Sequence, residues 1–136
     1  MSRSRQKSWI DARAVLERNS GEHLILRPSS DASEPHWEFP GGALKANESP
    51  ESALRRACEA LLGVGVDIRV GQPPFVFHYG SHAVTYRYYF GSCVGTPAAL
   101  GCREIRWVLA GQMRDYVFEP ASQQVVDWLL ESPRKS

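Results

Sequence analysis

The stretch from Trp37 to Val64 constrains this chain more than any other. It opens with Trp37-Glu-Phe-Pro-Gly-Gly42, an extended piece stopped by a Pro-Gly-Gly turn. It closes with a helix whose two ends are both marked. Ser49 is a good N-cap, Pro50 suits the first helical position, and Glu51 complements the helix dipole. Residues 51–62 are rich in Ala, Leu and Arg, all strong helix formers. Gly63 stands where a C-terminal glycine belongs.

Around this centre the chain reads mostly as strands. Residues 9–17 and 23–27 flank a turn at 18–22, which predicts a hairpin. Residues 28–35 form a polar loop. Residues 65–70 read as a strand, and 75–79 with 83–94 as a second hairpin around Gly80-Ser-His82. Val84, Tyr86, Tyr88 and Phe90 alternate with Thr85, Arg87 and Tyr89, as in a half-buried strand. Residues 104–109 form a further strand. Residues 120–131 form a closing amphipathic helix with Val125, Val126, Leu129 and Leu130 on its apolar face. Strands, one central helix, more strands and one last helix predict an α/β protein, a mixed β-sheet sandwiched between α-helices. The basic, polar residues 1–7 read as a disordered N-terminal segment, residues 8–131 as one domain, and residues 132–136 as a tail.

Composition narrows the classes of function. At 136 residues, with 43% hydrophobic and 23% charged residues, the chain has the make-up of one globular domain. A net charge of +1 gives no electrostatic footprint for tight, independent binding to nucleic acid. No apolar run approaches the ~18 residues of a membrane span. Three cysteines without a CxxC pair suggest free thiols rather than a disulfide framework or zinc site. These features together predict a cytoplasmic protein.

The lead-in Trp37–Gly42, joined to Glu48, Arg56, Gly63 and Val64 at their spacing, resembles the Nudix box. The lead-in is similar to that of MutT-type nucleoside triphosphate pyrophosphohydrolases. It also resembles the Nudix-like C-terminal domain of adenine glycosylases. Glu104-Ile-Arg-Trp-Val108 and Tyr116-Val-Phe-Glu-Pro120 look like the family's late strand and the entry to its last helix. The resemblance implies the Nudix fold and a nucleotide or nucleotide-derived small molecule as ligand. Family members are often dimers, so a homodimer is carried over as an expectation. In the family, Glu48 and Arg56 would hold the box together by an ion pair, and Gly41, Gly42 and Gly63 would shape its turns.

The catalytic core departs from the pattern. The family's Arg-Glu is Arg56-Ala57 here, and its Glu-Glu is Ala60-Leu61. Those glutamates bind Mg²⁺ or Mn²⁺ in family members. At about 100° per residue, positions 57, 60 and 61 share one helix face within roughly 100°. Hard cations want oxygen ligands, which this face lacks. A further family carboxylate before the late-strand Trp falls near Gly101. Glu59 points away from that face, and with Glu51 and Arg55 it reads as a solvated ladder of ion pairs.

Three functions follow as expectations. The first is a catalytically silent nucleotide-binding or interaction module that needs no metal. Its phosphate contacts would come from Arg27, Lys45, Arg55 or Arg56, and its base contacts from Ser122 or Gln123. A plain helix N-cap and first turn would explain Ser122 and Gln123 equally well. The second is an active Mg²⁺- or Mn²⁺-dependent pyrophosphohydrolase with relocated carboxylates drawn from Glu38, Glu48, Glu51 and Glu104. The third is a DNA-repair accessory domain like the glycosylase C-terminus. His78 and His82 read as exposed turn histidines, and Trp37, Trp107 and Trp128 as core. Tyr86, Arg87, Tyr88 and Tyr89 offer an aromatic–basic surface that alternation weakens, since about half of them must face inward.

Overall fold

A computed structural model describes residues 7–29 and 36–131. The elements run β1 (Lys7–Leu16), β2 (His23–Arg27), β3 (Gly41–Ala43), α1 (Pro50–Leu62), β4 (Gly65–Gly71), β5 (Phe75–Tyr79), β6 (His82–Val94), β7 (Glu104–Val108) and α2 (Pro120–Glu131). A short 3₁₀ helix, Ala110–Asp115, which the sequence pattern did not suggest, leads from β7 towards α2.

The main sheet has the order β3-β1-β6-β4, with β5 also paired to β6. Strand β1 runs parallel to β6 from Lys7 opposite His82 to Leu16 opposite Gly91. The other pairs, with β3, β4 and β5, are antiparallel, so the sheet is mixed as expected. Lys7 therefore belongs to a strand rather than to a frayed end. The rest of the predicted terminus, the 132–136 tail and most of the 28–35 loop lie outside the described residues.

The first predicted hairpin does not form a ladder. The turn closes, with the Gly21 N–H donating to the Arg18 carbonyl at 2.8 Å and one bridge between Glu17 and His23. Beyond it the strands diverge. Both edges of β1 are taken by β3 and β6, and β2 pairs with β7 in a separate two-stranded sheet. The second hairpin forms as expected, closing at Tyr79 opposite His82.

The sheet has an apolar layer on each face. On one side Ala12, Ala14 and Leu16 of β1 meet Ala53, Leu54, Cys58 and Leu62 of α1. On the other, Val15, Val84, Tyr86 and Tyr88 meet Phe39, Phe118, Val125 and Val126. Because β6 is central, its outward-reading residues are covered too. Tyr89 is buried on the α1 side, so Tyr86, Tyr88 and Tyr89 are all interior and form no nucleic-acid surface. Trp128 corrects in the other direction: it is 39% exposed and leans on Phe90 from α2. His82 is half-buried, stacked against Trp9 and Tyr79 at 4.9 and 5.1 Å between ring centres.

Glycine is required where β3 crosses β1. A Cβ on Gly41 would sit 2.1 Å from the Ala12 carbonyl oxygen. That close approach lets the Pro-Gly-Gly turn continue into a strand instead of ending there.

Candidate functional site: a box helix face without carboxylates

The helix α1 is capped as its sequence suggests. The Ser49 hydroxyl accepts from the Ser52 N–H at 3.1 Å. Gly63 adopts a left-handed φ of 71° and donates its N–H to Glu59. A left-handed C-terminal residue is the ordinary place for glycine.

The loop before α1 is tied to the helix by one carboxylate. Arg56 Nε donates to Glu48 Oε2 and Arg56 Nη2 to Glu48 Oε1, each at 2.9 Å. The Lys45 N–H donates to the same Oε1 at 2.8 Å. Arg56 Nη2 also reaches the Ala43 carbonyl at 3.1 Å, linking the helix to β3. These bonds, Arg56 foremost, lower the Glu48 carboxyl from its ordinary 4.5 to about 2. Arg55 does not build the expected ladder of ion pairs; its guanidinium donates to the Val66 carbonyl at 2.7 Å.

The face at positions 57, 60 and 61 is apolar and graded in exposure: Ala57 is buried, Leu61 half-buried and Ala60 exposed. Ala57 is buried beneath Gly42, where an added Cβ would meet its own at 3.8 Å. Leu61 packs on the α1-side core. The segment before β7 lies along the last turn of the helix. The Leu100 and Gly101 N–H groups donate to the Leu61 carbonyl at 3.1 and 3.0 Å, and Ala98 donates to Leu62 at 3.0 Å. The Cys102 thiol also points at the Leu61 carbonyl, 3.8 Å away. A Cβ on Gly101 would lie 2.6 Å from the Ala60 carbonyl, so no longer side chain fits there. These contacts satisfy carbonyls that a helix end leaves without partners. The residues present do not fit the Mg²⁺ or Mn²⁺ of the resembling family. Two methyl groups, an isobutyl group and a bare backbone stand where oxygen ligands would be needed.

The remaining carboxylates are dispersed. Glu38 is paired to Arg13 Nη1 at 2.9 Å and approaches His36 at 3.4 Å. Glu104 binds Arg106 at 2.8 Å and Arg27 at 3.6 Å. Glu51 is exposed in the first turn of α1. Among the described residues, no three His, Cys, Asp or Glu side chains gather where they could hold one ion.

Beside the box lies a buried charge cluster that the sequence did not announce. Asp11 and Arg13 sit two residues apart on β1, facing α2, with Arg13 Nε 2.7 Å from Asp11 Oδ1. Arg13 Nη1 also donates to the Phe39 carbonyl at 2.9 Å. Desolvation opposes the Arg13 charge, but Asp11 and Glu38 more than offset it and hold the guanidinium protonated.

Ser122 is fully buried next to this cluster. Its hydroxyl donates to Glu119 Oε1 at 2.7 Å and accepts from the Phe39 N–H at 3.4 Å. The Tyr88 hydroxyl, 3.2 Å away, completes the set. One donor and two lone pairs are thus all used inside the protein. Glu119, not Ser122, caps α2, accepting from the Ser122 N–H at 2.9 Å. Gln123 is half-buried and bonded to Asp127 at 2.8 Å, whereas Lys45 is exposed. Arg27 lies over the Trp37 ring, 5.9 Å from its centre.

Comparison with known proteins places this geometry. The NUDIX domain model matches residues 7–129. An 8-oxo-dGTP diphosphatase of Haemophilus influenzae is 30% identical over 127 residues, covering 91% of this chain and 93% of that protein. A second, from Proteus vulgaris, is 34% identical over 62 residues, 46% of this chain and 55% of that protein. Among solved structures, the E. coli ORF135 protein superposes with a TM-score of 0.82 at 19% identity, covering 93% of this chain and 91% of that one. A MutT protein of Methanosarcina mazei superposes at 0.80 and 19% identity, covering 96% of this chain and 98% of that one. With the fold, the spacing of the box and a family match over nearly all the described residues in agreement, the chain belongs to the NUDIX family.

Proposed function

We propose that this chain binds a nucleoside phosphate and does not hydrolyse it by a metal-assisted route. The observation that carries this reading is the helix face at Ala57, Ala60 and Leu61, backed by the bare Gly101. Metal-assisted phosphate hydrolysis uses cations to activate water and neutralise developing charge. Losing even ~4 kcal/mol of that stabilisation slows a reaction about a thousandfold.

Relocated carboxylates offer a weaker alternative. Glu38, Glu48 and Glu104 are each engaged by arginine, and on the sheet face Glu38 and Glu104 answer to different guanidiniums. Recruiting any of them to a metal would leave a guanidinium to be re-paired. Lys45 is exposed in the loop before α1, where its ammonium can meet a phosphate. Arg56 would first have to release Glu48.

The names of the similar proteins make 8-oxo-dGTP and dGTP the first ligands to try. Calorimetric titration in EDTA tests the reading. It predicts saturable binding that Mg²⁺ does not strengthen and that Lys45→Ala weakens about five- to tenfold, the worth of one charge-assisted contact. Binding that appears only with added metal contradicts it.

A further inference from the structure

On the face of the β2–β7 pair that buries Ile25 and Val108, a second cluster gathers around Arg27 and Arg106. Arg27 stands opposite Glu104, and Ile25 opposite Arg106, so both arginines share that face. Trp37 lies under both guanidiniums, 5.2 Å from Arg106 and 5.9 Å from Arg27. Arg106 also sits 5.8 Å from the Tyr116 ring centre and donates to its hydroxyl at 3.2 Å. Trp37 and Tyr116 meet edge to face, with ring centres 5.2 Å apart.

One carboxylate, Glu104, serves both arginines. The Arg106 side chain remains 50% exposed, so one more anion can reach it. Beside it opens a cavity of about 470 Å³ lined by Arg106, Trp107, Val108, Gln112, Asp115 and Tyr116. That volume falls within the range of small-molecule sites. Its chemistry is mixed in a defined way. Arg106 offers a planar donor fork, Tyr116 an aromatic face, and Asp115 an acceptor for hydroxyl or amino groups.

We propose that this cavity is a ligand site for a small planar ring bearing one compact anion, with a nucleoside monophosphate as the case that matches its size. The anion displaces Glu104 from Arg106, the ring lies against Tyr116, and Asp115 accepts from the ligand's polar hydrogens. The site does not depend on the box or on what the box binds.

Titration of the whole protein with GMP, followed by tryptophan fluorescence, tests it. Quenching is expected in the wild type, since Trp107 lines the cavity and Trp37 lies under Arg106. Arg106→Gln is expected to weaken binding at least about tenfold, the loss of a charge-assisted pair. Glu104→Gln is expected to tighten it several-fold, because it removes the internal competitor; a merely structural Glu104 would not do so. Inorganic phosphate alone is expected to bind more weakly than GMP. Affinity unchanged in Arg106→Gln, or phosphate binding as well as GMP, overturns the proposal. Loss of GMP binding in Lys45→Ala with Arg106→Gln unaffected would assign GMP to the box and overturn this site alone.

Discussion

Arg56 grips both carboxylate oxygens of Glu48, at 2.9 Å each, across the loop that leads into α1. The pair fastens helix, loop and β3 together, because Arg56 also holds the Ala43 carbonyl. On the proposed reading of a box without metal ligands, the work of this pair is structural. Glu48→Ala is therefore expected to lower the melting temperature by a few degrees at neutral pH. The pH dependence has a definite sign. The folded Glu48 is lowered from 4.5 to about 2, so its stabilisation is present above the unfolded value and lost as pH falls towards 2. The gap between wild type and Glu48→Ala should narrow over that window in thermal melts. A gap that is constant with pH would contradict this.

Arg13 presents the opposite case, a charge buried between two carboxylates. Arg13→Met leaves Asp11 and Glu38 facing each other without their cation. Breaking such a buried pair typically costs about 3–5 kcal/mol. Adding Asp11→Asn and Glu38→Gln should recover a large part of the loss, which urea denaturation would measure. No recovery would mean that the packing of Arg13 matters more than its charge.

Gly41 tests the close crossing of β3 and β1. Gly41→Ala places a methyl group 2.1 Å from the Ala12 oxygen, so β3 must shift or detach. A loss of about 3 kcal/mol or more is expected by denaturation, in the range of severe backbone clashes. A near-neutral result would show that the strand gives way easily.

Ser122 separates a structural from a ligand-reading role. Its hydroxyl is saturated by Glu119, Tyr88 and the Phe39 N–H. Ser122→Ala is expected to cost about 1–3 kcal/mol, since it strands buried partners. Nucleotide affinity should stay within about twofold of wild type, because the side chain is turned inward. Unchanged stability with a large loss of affinity would reverse the assignment.

Local chemistry was the legible part of this chain. Ser49, Pro50 and Gly63 mark α1 because each residue's own backbone preference suits its place. The β6 alternation and the hairpin at Gly80 are likewise written in neighbouring residues. The resemblance to the Nudix box supplied the global arrangement that local signals lack. What failed was long-range. The turn at Gly21 closes, yet β1 and β2 separate, because β1 finds better partners at β6 and β3. Tyr89 looked outward only until a second layer was known to cover that face. The triad of Asp11, Arg13 and Glu38 brings Glu38 to a β1 pair more than 20 positions earlier, and no periodicity signals that partner. The resemblance offers Ser122 as a base contact, but only its surroundings reveal that its hydroxyl is used up within the fold.

Restoring the missing ligands gives a complementary test. Ala57→Glu combined with Ala60→Glu and Leu61→Glu places three carboxylates on one face of α1. The variant, unlike wild type, is expected to gain Mn²⁺ binding by calorimetry, even if its folded state is weakened by a charge at the buried position 57. Mn²⁺ binding by wild type equal to that of the variant would mean that another ligand set is at work.

The central claim is that this chain binds a nucleoside phosphate without metal-assisted hydrolysis. The most direct test is release of pyrophosphate or phosphate from 8-oxo-dGTP, other nucleoside triphosphates, nucleotide sugars and dinucleoside polyphosphates, with Mg²⁺ and then Mn²⁺. Glu48→Gln is run beside the wild type. The account predicts no turnover above background in either protein. Metal-dependent turnover by the wild type that disappears in Glu48→Gln would contradict it and place a working metal site around the box.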